Sequence, residues 1–435
     1  MKITPDEVQA LDKNYIVSNI PGRRSEPYSW LDIVGVPGRP SGTDNKLFFA
    51  THSRGEGGWS YPFDRRPYAF KAARENNWVV AHDTSLPAEA GRPHLQVGDL
   101  ADLSEAVYNL TREASSPYVV GVTGSVGKTT TVAMLEHMLA QSGLEVVRFY
   151  SKRLTPLSVM CHYINKVEQR TAVVVMEYSA YYRDHVAALA KLLPPNVAFL
   201  TNIYDTHINP NNPYMFENRG QIFDSKKEIK PVGASGFVNT RVLEELGVST
   251  PAGWSTFNPE LPYSVRNDRL PPTMRTAELF SVAQKLAEAL GLTEEQLLRA
   301  YETFRPAEGR IITFKYNDRP VFFNGETSGG SRLNSWFETP NGVEPWLFVE
   351  KVDFAEENPE GFKRLTERVF SAEKTVVLDT PQNRERLEGV QNVRFLNEAD
   401  FGNTFKKSGG YTIYHKAMAI REEGFDPEKW VNSRF

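Results

Sequence analysis

The sequence predicts an α/β protein of three domains, and three observations carry that prediction. The chain has 435 residues, too many for one hydrophobic core, so roughly two to four domains are expected. Short apolar runs alternate with helical segments through the middle and again near the C-terminus, the texture of parallel sheets covered on both faces. Between the first central strand and its helix lies the glycine-rich turn Gly121-Val122-Thr123-Gly124-Ser125-Val126-Gly127-Lys128-Thr129. These place a small α/β N-terminal domain over 1–115, a central P-loop doubly wound parallel sheet over 116–308, and a C-terminal Rossmann-like α/β domain over 309–435.

In the first segment, Leu47-Phe48-Phe49-Ala50 and Trp78-Val79-Val80-Ala81 read as strands among Gly/Pro-rich loops. A helix follows over Asp102–Arg112, with Leu103, Ala106, Val107 and Leu110 on one face. Ala114-Ser115-Ser116-Pro117 reads as a linker. Tyr118–Thr123 is then a buried strand and Lys128–Gln141 a helix with Val132, Leu135 and Leu139 inward, ending at Gly143. Further strands are expected at Val146-Val147, Ala172–Met176 and Val197–Leu200. Pro251–Pro272 looks like a long loop before helices at Glu278–Leu290 and Glu294–Phe304. After Glu308-Gly309-Arg310 the strand candidates are Pro320–Phe323, Trp346–Val349, Thr375–Leu378, Val393–Phe395 and Tyr411–Tyr414, with a helix over Gly361–Phe370.

Composition narrows the partners. Hydrophobic residues are 40% and charged residues 24%, ordinary for a soluble globular chain. A net charge of −4 supplies no basic field for nucleic acid. The single cysteine, Cys161, cannot form an internal disulfide, and among Val159, Met160, Tyr163 and Ile164 it reads as core. No signal-peptide run opens the sequence and no stretch is long enough to span a bilayer. A cytoplasmic protein without nucleic-acid or membrane partners is expected, and a monomer and a homodimer stay equally open.

The phosphate loop bears the strongest chemical signal. Glycines let the backbone curl so that N–H groups face phosphate oxygens, and the helix N-terminus adds positive potential. Gly124, Ser125, Val126, Gly127, Lys128, Thr129 and Thr130 are therefore the expected ATP-binding residues, with Lys128 on the terminal phosphates and the Thr129 hydroxyl on Mg2+. The spacing departs from G-x-x-x-x-G-K-[ST], because Val122 stands five residues before Gly127.

That variant, G-x-T-G-x-x-G-K-T-T, resembles the Mur ligase family. Leu47–Ala50, Ala69–Val80 and Val97-Gly98-Asp99 resemble the small N-terminal substrate-binding domain of its stem-peptide amino-acid- and dipeptide-adding members. Thr201-Asn202-Ile203 with Asp205-Thr206-His207 resembles the family's T-N-I…H motif, and Phe304-Arg305-Pro306 with Gly309-Arg310 its hinge. The resemblance implies that Glu177, after the Val173–Met176 run, binds Mg2+, a task suited to a hard carboxylate at a strand end. It implies that His207 joins the metal shell, with Asp205 beside the phosphates or supporting it, and that Asn202 and Arg310 contact the nucleotide. It also implies a carbamylated lysine: Lys226 in Ser225-Lys226-Lys227-Glu228-Ile229, or Lys227. If the register instead places Arg219 there, the modification is absent. Catalytic roles thus fall to Lys128, Glu177, His207 and Lys226. Thr155, in a Thr-Pro pair after Lys152-Arg153, and Arg183 and His185 are candidate substrate contacts; an exposed turn and a cleft wall stay open for them. Asn324-Gly325-Glu326 replaces the family's usual aspartate, which points to a different acceptor.

The resemblance implies a ligase that activates a carboxylate with ATP and joins it to an amine, both small molecules. The Tyr178-Ser179-Ala180-Tyr181-Tyr182 run favours a specialised substrate. Three other readings stay open: addition to a nucleotide-linked muropeptide, a P-loop kinase or NTPase without ligation, and a non-catalytic nucleotide-binding protein.

Overall fold

The computed structural model describes residue 10, the strand backbones at 16–18, 30–32, 46–49 and 79–82, and residues 94–149, 155–208, 215–262, 266–306, 311–326, 330–340, 344–352, 366–418 and 426–435. Residues 69–78, Lys152-Arg153, Gly309-Arg310 and 361–365, which entered the sequence reading, lie outside these. The described strands form three sheets.

The first sheet holds β1 (Ile16–Ser18), β2 (Trp30–Asp32), β3 (Lys46–Phe49), β4 (Val79–His82) and β5 (His94–Gln96) in the order β1-β5-β4-β3-β2. Only β1 runs antiparallel to its neighbour. The second holds β6 (Tyr118–Thr123), β7 (Val146–Phe149), β8 (Val173–Glu177), β9 (Val197–Leu200), β10 (Ser235–Asn239) and β11 (Ser255–Phe257), in the order β11-β10-β9-β6-β8-β7. The β7–β8, β9–β10 and β10–β11 pairs are parallel. The α/β class and the central parallel sheet are as the sequence predicts. The loop expected over Pro251–Pro272 contains β11, an edge strand of three residues with both Ser255 and Thr256 exposed, too short and polar to show periodicity.

The third sheet orders β12 (Ile312–Tyr316), β13 (Arg319–Glu326), β17 (Thr412–Met418), β14 (Trp346–Lys351), β15 (Thr375–Leu378) and β16 (Phe395–Leu396). β12 and β13 form an antiparallel hairpin, and the remaining pairs are parallel. The last strand in sequence sits between β13 and β14. Side chains alternate across it: Ile413 joins Leu347 and Val349 on one face, Tyr414 joins Phe348 and Phe323 on the other.

By chain contacts the molecule divides into two units. The first comprises residues 1–120, 144–179 and 187–195. In it α1 (Leu100–Ala114) is capped by Asp99, whose side chain accepts from Ala101 N at 2.6 Å. Its inner face meets α2 (Pro156–Lys166) through the edge-on ring pair Tyr108–Tyr163, 5.1 Å apart. Cys161, on α2, is buried, as expected.

The second unit comprises 121–143, 180–186 and 196–435. It carries the phosphate loop and α3 (Lys128–Gln141), which packs on α4 (Met274–Leu290) and α5 (Glu294–Thr303). Val132, Met134, Leu135, Met138 and Leu139 of α3 are fully buried. Also here are the helices Arg219–Lys227 (α6) and Thr240–Leu246 (α7), and Gly330–Phe337 (α8), whose Leu333 and Phe337 cover the third sheet. Among the described residues no helix is long and apolar enough to cross a membrane.

Candidate functional site

The site grows from the turn after β6. Gly124 leaves the strand against the opposing segment so closely that a Cβ there would lie 2.2 Å from Thr201 Oγ1. Gly127 then takes a left-handed φ of +84° and caps α3 without a side chain. The first intrahelical bond runs from Thr131 N to Gly127 O, 3.0 Å, so the preceding amides gather at the positive end of the helix.

Asn202 holds this loop. Its Oδ1 accepts from Ser125 N at 3.0 Å and Val126 N at 2.8 Å, and its Nδ2 donates to Val126 O at 2.9 Å. Tyr204 N donates to Ser125 Oγ at 2.9 Å, and Thr201 Oγ1 donates to Thr123 O at 3.1 Å. The segment after β9 is therefore laced to the loop along its length. Lys128 Nζ donates to Gly124 O at 2.9 Å and Ser125 O at 3.3 Å. Lys226, on α6 and 2% exposed, donates to the same Gly124 O at 2.9 Å. Two ammonium groups thus converge on one carbonyl. Lys227 turns the other way, pairing with Asp224 at 2.6 Å while half-exposed. Arg219, at the start of α6, donates to Ile203 O and pairs with Glu245.

The other residues singled out in the sequence divide into two groups. Asp205 and His207 follow in the same segment, and His207 has a left-handed φ of +60°, uncommon outside glycine. Its ring lies 4.8 Å from Tyr181; Tyr181 lies 6.0 Å from His185, and His185 stacks on Tyr182 at 4.5 Å. His185 is buried, and Arg183 pairs with Glu217 at 2.6 Å. Both histidines are thereby gathered around tyrosines of the run that follows β8. In the first unit, Glu177 ends β8 with its carboxylate buried, accepting from Ser179 Oγ at 3.1 Å. Thr155 is the N-cap of α2: it accepts from Ser158 N at 3.3 Å, and Ser158 Oγ answers by accepting from Thr155 N at 2.7 Å. Its hydroxyl is occupied in holding a helix end. Arg310 lies outside the described residues.

A second ring of residues escaped the sequence reading. Glu278 of α4, 3% exposed, accepts from Asn202 Nδ2 at 2.9 Å and Asn239 Nδ2 at 3.0 Å, and pairs with Arg275. Arg275 also lies over the Tyr204 ring, 5.2 Å from its centroid, and 3.7 Å from Glu338. Glu338, just past α8, accepts from Tyr204 Oη at 3.2 Å and from Arg241 of α7 at 3.4 Å. The available signal was the oppositely charged Arg275 and Glu278 three apart on one helix.

Comparison with known proteins fits this geometry. Residues 122–236 match the Mur ligase middle domain. A UDP-N-acetylmuramoylalanine–D-glutamate ligase from Nitratidesulfovibrio vulgaris is 34% identical over 132 residues, 30% of this chain and 28% of that one. A UDP-N-acetylmuramoyl-tripeptide–D-alanyl-D-alanine ligase from Mycobacterium tuberculosis is 30% identical over 115 residues, 26% of this chain and 20% of its own. The chain therefore spans under a third of the length of these two curated relatives. In fold the likeness is broader: MurF from Acinetobacter baumannii superposes with a TM-score of 0.69 over 96% of each chain, at 15% identity. MurF from Thermotoga maritima, solved with ADP, gives 0.63 over 86% of this chain and 91% of its own, at 18% identity. The resemblance carried by the phosphate loop is borne out: the chain has a Mur ligase middle domain at its centre, in the Mur ligase fold.

Proposed function

We propose that this chain is an ATP-dependent carboxylate–amine ligase that works through an acyl phosphate on a specialised pair of small-molecule substrates. The observation that carries this reading is the phosphate loop braced by Asn202, with Lys128 and Lys226 meeting at Gly124 O. The curated relatives are named as ligases, and one structural neighbour was solved with ADP.

In the proposed reaction a carboxylate oxygen attacks the γ-phosphorus of ATP, the bond to the β–γ bridging oxygen breaks, and ADP leaves. The amine nitrogen then attacks the acyl carbon, gives up a proton and expels phosphate. Both steps bring anions together, so the protein must supply positive charge. Lys128 and the N-terminus of α3 do so at the phosphates. Within the second unit Mg2+ would be held by the Thr129 hydroxyl and would neutralise phosphate charge when bound. Among the described residues no group of three or more His, Cys, Asp and Glu stands ready for a metal. A single hydroxyl oxygen suits Mg2+, which keeps waters and phosphate oxygens around one or two protein ligands.

Lys226 is the residue we assign to carbamylation, because it is the buried lysine at the loop. A carbamate on Nζ keeps one N–H, enough for the bond to Gly124 O, and adds a carboxylate. The tyrosines and histidines after β8 favour a substrate specialised beyond a common core. The test is phosphate release by the purified chain with paired acids and amines. Release only when both are present supports ligation; a Lys128→Ala protein with full ligation activity sinks it.

A further inference from the structure

We infer that Glu278 is a positioning residue for nucleotide binding, a buried carboxylate that sets the orientation of Asn202 and through it the phosphate loop. The inference rests on the nucleotide-binding reading above. Glu278 sits between Ala277 and Leu279 on α4, all three buried. A carboxylate in such a place is costly unless every lone pair has a donor. Here one oxygen accepts from Asn202 Nδ2 and from Arg275, the other from Asn239 Nδ2.

The consequence reaches the loop through the two unlike ends of the Asn202 amide. As placed, its oxygen faces two N–H groups, of Ser125 and Val126, and its nitrogen faces Val126 O and Glu278. Rotating the amide by a half-turn would set donor against donor at the loop amides and acceptor against acceptor at Val126 O. Glu278, which when ionised only accepts, adds a further penalty to that flip. Asn239 extends the brace by donating to Thr201 O at 2.7 Å, behind the residue that crowds Gly124. Glu278 has no bond to the loop in this network, yet Thr201-Asn202, which faces Gly124, leans on it through Asn202 directly and through Asn239. Arg275 closes the set by neutralising Glu278 and covering Tyr204, which bonds Ser125.

The experiment is Mg–ADP binding by calorimetry, with the melting temperature of each protein measured alongside. Glu278→Gln keeps one oxygen acceptor but must turn its N–H2 either against Asn239 Nδ2 or against Asn202 Nδ2 and Arg275, so one arm of the brace is lost and the dissociation constant should rise tenfold or more. The double variant Arg275→Met/Glu278→Leu removes both buried charges together, a change that is often neutral for stability. It should melt near the wild type and still bind Mg–ADP at least tenfold more weakly, because the Asn202 amide then loses the buried acceptor behind its Nδ2. Wild-type affinity in either folded variant overturns the inference and leaves the ligase reading standing. A wild-type protein that does not bind Mg–ADP overturns both.

Discussion

Replacing Gly124 with alanine puts a methyl carbon 2.2 Å from Thr201 Oγ1 and 3.4 Å from Asn202 N. The first distance is about 1 Å inside van der Waals contact, so something must move. Thr201 cannot move cheaply: it is 2% exposed, its hydroxyl donates to Thr123 O at 3.1 Å and accepts from Asn202 Nδ2 at 2.9 Å. Overpacking of this kind costs about 1–3 kcal/mol, and each of the two strained hydrogen bonds adds about 1 kcal/mol, so a loss of about 3–5 kcal/mol is expected. If instead the loop yields, the loss appears in nucleotide affinity. Denaturant unfolding and Mg–ADP titration of Gly124→Ala, Thr201→Ala and the double variant separate the two. Thr201→Ala removes the obstructing oxygen, so the double variant should lose at least about 1 kcal/mol less than the sum of the single losses. Strict additivity would refute the steric account, because the clash would then lie elsewhere.

Lys226→Met should abolish bicarbonate-dependent turnover and weaken Mg–ADP binding, whereas Lys227→Ala, at a half-exposed pair with Asp224, should change either by less than about twofold; equal losses would undo the assignment. Burial pushes the Glu278 carboxyl up to about 7, Arg275, the bond from Asn202 and Arg241 oppose it, and Glu338 reinforces it. The folded protein then holds that proton more tightly than the unfolded chain does at 4.5, so stability relative to Glu278→Gln should fall as pH rises from 4.5 to about 7, by about 3 kcal/mol. Over the same range Mg–ADP affinity should rise with ionisation, and a pH-independent difference between the two proteins would contradict both expectations. His415, buried on β17 with its pKa lowered by burial to about 4, gives the opposite slope. Stability should be lost as pH falls from 6.5 toward 4, and His415→Phe should remove that loss in urea titrations at several pH values. Tyr204→Phe deletes the hydroxyl that Glu338 accepts, and about 1–2 kcal/mol of stability should go with it by thermal melting.

The fold was legible where the signal is local. The phosphate loop needs one strand, one helix and glycines at fixed offsets, all within a dozen or so neighbouring residues, so its geometry could be read directly. Lys226 and Lys227 could not be told apart, since adjacent helical residues point about 100° apart and only the packing of α6 decides which is buried. Glu278 was hidden for a different reason. The Pro271-Pro272 pair suggested a loop running up to the helix, which placed Glu278 at its first turn, where an acid is unremarkable. The helix instead starts at Met274, capped by Thr273, and Glu278 falls a full turn in, on the buried face. Thr155-Pro156 was legible as a motif yet ambiguous in role, because a Ser or Thr before Pro serves a helix start as well as a ligand.

The two ammonium groups at Gly124 O suggest why the loop needs Lys226 in addition to Lys128. In the structure Lys128 is held by carbonyls of its own loop. To meet a phosphate it must give these up, and a buried carbonyl left without a donor costs about 1–3 kcal/mol, enough to offset much of the charge-assisted bond gained. Lys226 removes that cost at Gly124, since its own bond of 2.9 Å persists when Lys128 swings away. Asn202 acts likewise at Ser125 and Val126, whose amides it keeps satisfied whether or not a nucleotide is present. The loop is therefore held in one shape by neighbours that do not need the ligand, and binding energy is left for Lys128 and the first turn of α3. Preorganisation of this kind favours charge that develops during phosphoryl transfer over charge already present in the bound nucleotide. Removing Lys226 or the Glu278 brace should accordingly slow the chemical step by more than it weakens ADP binding. A loss confined to ADP affinity would mean that the brace serves the ground state alone.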